Sequence, residues 1–235
     1  MKTLAIVAGL AASAVVASAQ AESLQLTTLE WPPYVMSDGS GASSEAVIAT
    51  FKKAGIEASV QVFPWNRAIN LAEKDPNWIG VYPEYYSAAD DVDNGGARCL
   101  YSASFGTSPV GFIQRADSPI TWSTHDDLKA YTIGVVRGYT NEEQFDAMVA
   151  AGDISAEMAD DDAQNILKVA GSRADAGVVD RLVFEHLAKN DPEVAKVAGT
   201  LSFNDTLLAE HSLHICFENS EAGKAARDKF NAALN

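Results

Sequence analysis

The chain has 235 residues, 47% hydrophobic and 21% charged, with 2 cysteines and 8 prolines, which allows a buried core and excludes a disordered polyampholyte, a low-complexity chain and a disulfide-dense miniprotein. Its 17 Lys and Arg against 32 Asp and Glu leave a net charge of −15, which repels phosphate backbones and anionic headgroups and argues against nucleic acid as a partner. A net acidic surface also serves solubility, so the sign alone selects no substrate.

Lys2, the apolar run 4–16 and the small residues Ala17, Ala19 and Ala21 form the pattern a signal peptidase reads. Residues 1–21 are therefore expected to be a cleaved export signal and the mature protein to be periplasmic. The run is shorter than the ~20 residues a spanning helix needs, and no lipid-anchoring cysteine follows it, so no stable membrane insertion is expected.

From residue 24 onward, short β-like runs alternate with amphipathic helical runs, the pattern of α/β layers. Strands are predicted over 24–30 and 57–63. Between them, Val47, Ile48, Phe51 and Ala54 recur at helical spacing over 45–54, with Gly55 as C-terminal punctuation. A helix over 66–74, capped by Asn66, leads into a strand over 78–82. Ser102 to Gln114 contains an extended crossing segment at 110–113. A strand at 131–136 precedes Thr140-x-x-Glu143, a capping box opening a helix that runs to Ala151, with Gly152 after it. Asp161-x-x-Gln164 opens the next helix, which carries Ile166, Leu167 and Ala170 and ends at Gly171; a strand at 176–179 and a helix at 181–187 follow. The segments 71–83 and 170–182 look like equivalent helix–turn–strand units. A final strand at 212–217 leads to a helix over 221–234 with Ala222, Ala225, Phe230 and Ala233 inward. In an oxidising compartment Cys99 and Cys216 are expected to pair; two buried free thiols on separate strands is the other reading.

Four motifs follow one another in a telling order: Trp31-Pro32-Pro33-Tyr34, Pro64-Trp65-Asn66-Arg67-Ala68, Tyr101-Ser102-Ala103-Ser104-Phe105, and Asp127-Leu128 through Tyr131-Thr132-Ile133-Gly134-Val135-Val136-Arg137-Gly138. With Ala174-Asp175-Ala176 through Asp180 and Leu213 to Phe217, they resemble the family 3 extracellular solute-binding proteins, receptors of ABC importers best known for polar amino acids. The resemblance implies the type II periplasmic binding protein fold: α/β, two lobes, each a mixed sheet flanked by helices, joined by two hinge strands. Lobe one would comprise 22–108 and 212–235, and lobe two 109–211. It implies a monomer that captures a small polar solute, amino-acid-like or an amine, in the interlobe cleft for uptake through an ABC permease, with no cofactor and no catalysis. A soluble sensory module using the same closure is the alternative. Less favoured is an enzyme like the cyclohexadienyl dehydratases that share the fold.

In α/β sheets ligands sit beyond the carboxyl ends of the strands, and the loops there carry Trp31, Tyr34, Trp65, Arg67, Tyr82, Glu84, Arg137, Tyr139, Thr140 and Asp180, the candidate ligand-binding residues. Aromatic faces there supply apolar area and attract cations. Gly138-Tyr139-Thr140, between a strand and a helix start, offers free N–H groups to a ligand carboxylate, while Thr140 also suits the capping box. Asp180 matches the family's acceptor of the ligand ammonium group, and equally suits an N-cap. The family's carboxylate-clamping arginine is missing: the stretch Tyr82 to Asp91, with Ser87 at about that place, contains none. Arg67 is the nearest substitute; without one the site suits an amine, a quaternary ammonium or a weakly charged solute. No nucleophile–base arrangement can be assembled from the four histidines, and His211-x-x-His214 on a strand points its rings to opposite faces, so no metal site is expected.

Overall fold

The computed structural model describes residues 22–234; the predicted export signal lies outside the described residues. β1 (Glu22–Thr28), α1 (Ala42–Lys53) and β2 (Ile56–Val62) form a parallel β-α-β unit. Val47 and Phe51 form its buried stripe, and Gly55 closes the helix at φ 77°. α2 (Trp65–Lys74) begins one residue before the predicted start, with Pro64 at the cap position; Asn66 therefore lies inside the first turn and caps nothing, because the proline's fixed φ already sets the entry. β3 (Gly80–Tyr85) runs parallel to β1 and three residues beyond the predicted end. Gly80 is required there: a Cβ would fall 2.6 Å from the Cys216 carbonyl on the adjacent strand.

β4 (Leu100–Tyr101) and β5 (Gly106–Arg115) follow, then β6 (Thr132–Val136), α3 (Glu143–Ala151), β7 (Ser155–Ala159), α4 (Asp162–Ala170), β8 (Ala176–Asp180), α5 (Arg181–Asn190), α6 (Pro192–Val197), β9 (Leu201–Phe217) and α7 (Glu221–Leu234). The sheet order is β2-β1-β3-β9-β5-β8-β6-β7, with β4 also on β9. β9 is the spine: its last residues pair antiparallel with β3 and β4, while β5 runs antiparallel along it from Gly106 opposite Leu213 to Arg115 opposite Leu201. Two long strands thus cross between a first half (β1–β4, α1, α2, α7) and a second (β6–β8, α3–α6).

The cores follow the same division. Leu26, Phe51, Tyr82, Phe217 and Phe230 pack in the first half, and Phe112, Leu128, Ile133 and Phe145 in the second. Each such ring or aliphatic chain stabilises by about 1.5–3 kcal/mol when fully buried. A third cluster joins the halves: Leu29, Trp31 and Tyr34 pack with Ile113, Val179 and Val183.

Three local expectations are corrected. Glu142, and not Thr140, caps α3: its carboxylate accepts from the Gln144 and Phe145 N–H groups, because a side chain two residues nearer the helix reaches them first. α7 buries Gly223 and Ala226 with Phe230, and leaves Ala222 and Ala225 exposed, since the small apolar positions of its first turns carry no size signal to fix the face. β9 begins eleven residues before the predicted 212, its middle polar and half-exposed. Cys99 and Cys216 are joined, tying the residue before β4 to β9 across 117 positions.

Candidate functional site

The segment beyond β1, the first turns of α2, the end of β3 and the turn beyond β6 meet between the two halves. They line a cavity of about 320 Å³, within the range of small-ligand sites. Its first-half wall carries Trp31, Trp65, Glu84, Tyr85 and Arg98; its second-half wall is the turn Gly138-Tyr139-Thr140. Trp65 Nε1 donates to the Gly138 carbonyl at 3.1 Å, a direct bond between the halves. Gly138 holds that turn at φ 83°, and a Cβ on it would fall 2.3 Å from Asn66 Oδ1.

Glu84 reaches the cavity through an irregularity in β3. In a regular strand Tyr82 and Glu84 would share a face, but the register against β9 shifts between Val81 and Glu84. Tyr82 stays in the first-half core, its hydroxyl 2.7 Å from Ser44 Oγ and its pKa pushed up to about 12 by burial. Glu84 turns to the cavity wall.

There it meets Arg98, which the sequence reading did not single out. The loop after β3 folds back so that the Arg98 and Cys99 N–H groups both donate to the Asp90 carbonyl, at 3.2 and 2.9 Å. Arg98 Nη2 donates to Glu84 Oε1 and to Asp90 Oδ2, the latter at 3.1 Å, and Nε lies 4.0 Å from Glu73. Burial raises the Glu84 pKa, with Arg98 pulling the other way. Burial alone would lower that of Arg98, but Glu84 and Asp90 outweigh it and raise it, so the guanidinium stays charged. Glu84 Oε2 and Arg98 Nη1 are both buried without a hydrogen-bond partner. The signal for Arg98 lay next door: once Cys99 bonds Cys216, which pairs with Val81, residue 98 must lie close to β3.

A second cavity of about 670 Å³ lies on the other side of Trp65 and Tyr139, which border both. Arg137, Asp160, Asp162 and Asp191 face it. Asp162 is buried and accepts from the Tyr139 hydroxyl at 3.3 Å; burial pushes its pKa up to about 7.

The cavities therefore bring together six of the ten candidate residues: Trp31, Trp65, Glu84, Tyr139 and Thr140 in the first, and Arg137 with Trp65 and Tyr139 in the second. The remaining four line neither. Arg67 is exposed and lies 5.0 Å over the Phe63 ring. Tyr82 is core. Tyr34 stacks on Trp31 and sends its hydroxyl to Asp180. Asp180 caps α5 through the Leu182 and Val183 N–H groups and also accepts from Ser108 at 2.5 Å and Tyr34 at 3.0 Å, so four internal donors surround it. Among the described residues no group of three His, Cys, Asp or Glu side chains is placed to hold a metal ion. His211 bonds the Asn141 carbonyl, and His214 sits between the Ser102 carbonyl and Ser212.

No protein-family model matches the chain, and no curated protein matches it in sequence. Solved structures match it along most of its length. A mutant of arginine-bound ArgBP from T. maritima superposes with a TM-score of 0.71 at 15% identity, over 90% of this chain and 94% of that one. The GluR0 ligand-binding core from Nostoc punctiforme in complex with (L)-glutamate gives 0.69 at 21%, over 90% and 91%. A histidine kinase sensor domain with similarity to periplasmic binding proteins gives 0.74 at 14%, over 90% and 88%. With the β5 and β9 crossings and the cleft they span, these likenesses establish the architecture: the chain has the two-lobed α/β fold of the type II periplasmic binding proteins.

Proposed function

We propose that the chain is a periplasmic solute-binding protein, exported by a cleaved signal at 1–21, that captures a small polar solute, amino-acid-like or an amine, between lobes 22–108 with 212–235 and 109–211. The observation that carries this reading is the cavity of about 320 Å³ whose walls come from both halves. A solute there contacts both at once, so occupancy favours the closed arrangement and turns binding into a shape a partner can read. Trp31, Trp65, Glu84, Arg98, Tyr139 and Thr140 are its contacts in this reading. The partner is an ABC permease meeting a monomer. No helix among the described residues is long and apolar enough to cross a membrane, in keeping with a receptor that docks on a separate membrane protein. Glu84 and Asp180, the carboxylates an enzyme would use, are engaged by Arg98 and by internal donors, which favours binding over catalysis.

Sensing is a second reading, favoured by one specific likeness, that to a histidine kinase sensor domain. Neighbouring genes separate the two: permease and ATPase genes favour uptake, and a kinase or cyclase gene favours sensing. Binding itself is tested by a thermal-shift screen over amino acids, amines, betaines and small carboxylates. A binder at 100 times its Kd stabilises by ~2.7 kcal/mol. Trp65→Ala should remove the shift, and a screen without a hit removes the proposal.

A further inference from the structure

In the cleft, the cation on the first cavity's wall and the start of α3 are both engaged by carboxylates of the chain itself. Arg98 is the cation on the first cavity's wall, and Glu84, Asp90 and Glu73 surround it, so a fourth carboxylate meets a net negative cluster. The start of α3, beyond the Gly138–Thr140 turn, is filled by Glu142, which takes the Gln144 and Phe145 N–H groups at 3.1 and 2.8 Å and His125 Nε2 at 2.7 Å. Arg67 stacks on Phe63 and lines neither cavity.

Two polar atoms on the first cavity's wall are left unmet, one acceptor and one donor. Glu84, with its side chain 7% exposed, keeps one oxygen without a donor, and Arg98 keeps Nη1 without an acceptor. Around them stand Trp31, Trp65, Tyr85 and Tyr139, whose ring faces attract cations. A quaternary ammonium has no N–H for Glu84, whereas a protonated amine does. Asp180 is closed off by its four donors, so the ammonium contact moves to the opposite lobe.

We propose that the ligand is a protonated amine without a carboxylate, donating to Glu84 Oε2 and offering a neutral oxygen, an amide carbonyl or hydroxyl, to Arg98 Nη1. Both atoms are buried, so the ligand must displace the side chains that cover them. This rests on the cleft being the binding site, as proposed above.

The test is calorimetric titration of the purified chain with matched triplets: alanine, leucine and phenylalanine, each as free amino acid, as amino-acid amide and as decarboxylated amine. The expected ranking, in at least one triplet, is amide tightest, then amine, with the amide bound at least tenfold more tightly than the free amino acid. Glu84→Gln should weaken amide binding at least tenfold; if that variant fails to fold, the ranking in the wild-type chain decides alone. A free amino acid that binds as tightly as its amide overturns the inference. So does silence from every probe. A wider panel of neutral and anionic solutes then separates the two failures: a hit leaves the cleft reading standing without this ligand class, and no hit removes both.

Discussion

Tyr34 and Asp180, 146 positions apart, meet across the cleft: the Tyr34 hydroxyl donates to Asp180 Oδ2 at 3.0 Å in a buried site. Tyr34 belongs to the loop after β1 and Asp180 ends β8, so this bond joins the lobes through the chain's own side chains. Burial raises the pKa of both groups, and each is satisfied by the other. Tyr34→Phe removes one of four donors to Asp180 and should cost about 1–2 kcal/mol in urea denaturation. It should also widen the solute-free chain in solution scattering. Asp180→Ala should cost more, about 2 kcal/mol or above, because the cap of α5 goes with it. Equal costs, with an unchanged radius, would show that the bond does not hold the lobes together.

Arg98 and Glu84 carry the next expectation. Removing one member of a buried ion pair strands the other, at about 3–5 kcal/mol. Arg98→Ala should therefore lower stability markedly, since the Glu84 side chain is only 7% exposed, whereas Glu84→Gln leaves Arg98 paired with Asp90 and should cost less. Adding Glu84→Gln to Arg98→Ala should restore part of the loss. A double variant no more stable than Arg98→Ala would place the damage elsewhere than in a stranded carboxylate.

The lobed α/β architecture was legible because its signals are local: helical spacing of Val47 and Phe51, Gly55 and Gly152 as stops, and Asp161 ahead of Gln164 as a true cap, accepting the Gln164 N–H at 2.8 Å. Aromatic walls of the cleft were legible for the same reason, since Trp31 and Trp65 directly follow strands. What stayed hidden depends on contacts distant in sequence. Tyr82 closes the strand predicted at 78–82 and Glu84 follows it with the same alternation, and only the register shift against β9 sends one inward and the other to the cavity. Arg98 sits beyond a folded-back loop whose path is fixed by Cys216, far along the chain. The length of β9 was masked by Asn204, Asp205 and Glu210, polar positions that a half-exposed crossing strand tolerates.

The disulfide gives a prediction of its own. It closes a segment of 117 residues, and restricting a loop of that size in the unfolded chain is worth about 4–5 kcal/mol in the chain-entropy account. Cys99→Ser with Cys216→Ser should lower the urea midpoint accordingly. Because Cys99 directly follows Arg98, the paired variant should also weaken solute binding beyond what lost stability explains. Binding that survives unchanged in the folded variant would show that the Asp90 carbonyl contacts hold Arg98 unaided.

Asp162 fixes a pH dependence whose sign can be worked out. Its pKa rises from the ordinary carboxylate value to about 7 in the folded chain, mainly through burial, with Asp180 and Asp161 adding to it and the Tyr139 hydroxyl opposing. Below pH ~4 both folded and unfolded chains keep the proton, and stability is highest as far as this group is concerned. Between pH ~4 and ~7 the unfolded chain gives the proton up while the folded one holds it, so stability falls as pH rises; above ~7 the whole penalty, about 1–4 kcal/mol, is in place. Glu84 and Asp180, also raised by burial, act in the same direction, while His214, lowered by burial, acts against them near neutral pH. Asp162→Asn isolates the group, since the amide oxygen still accepts from Tyr139. The difference in melting temperature between variant and parent should grow in favour of the variant from pH 4 to pH 7. A difference that stays flat across that interval would mean that water or a cation already reaches Asp162 through the second cavity.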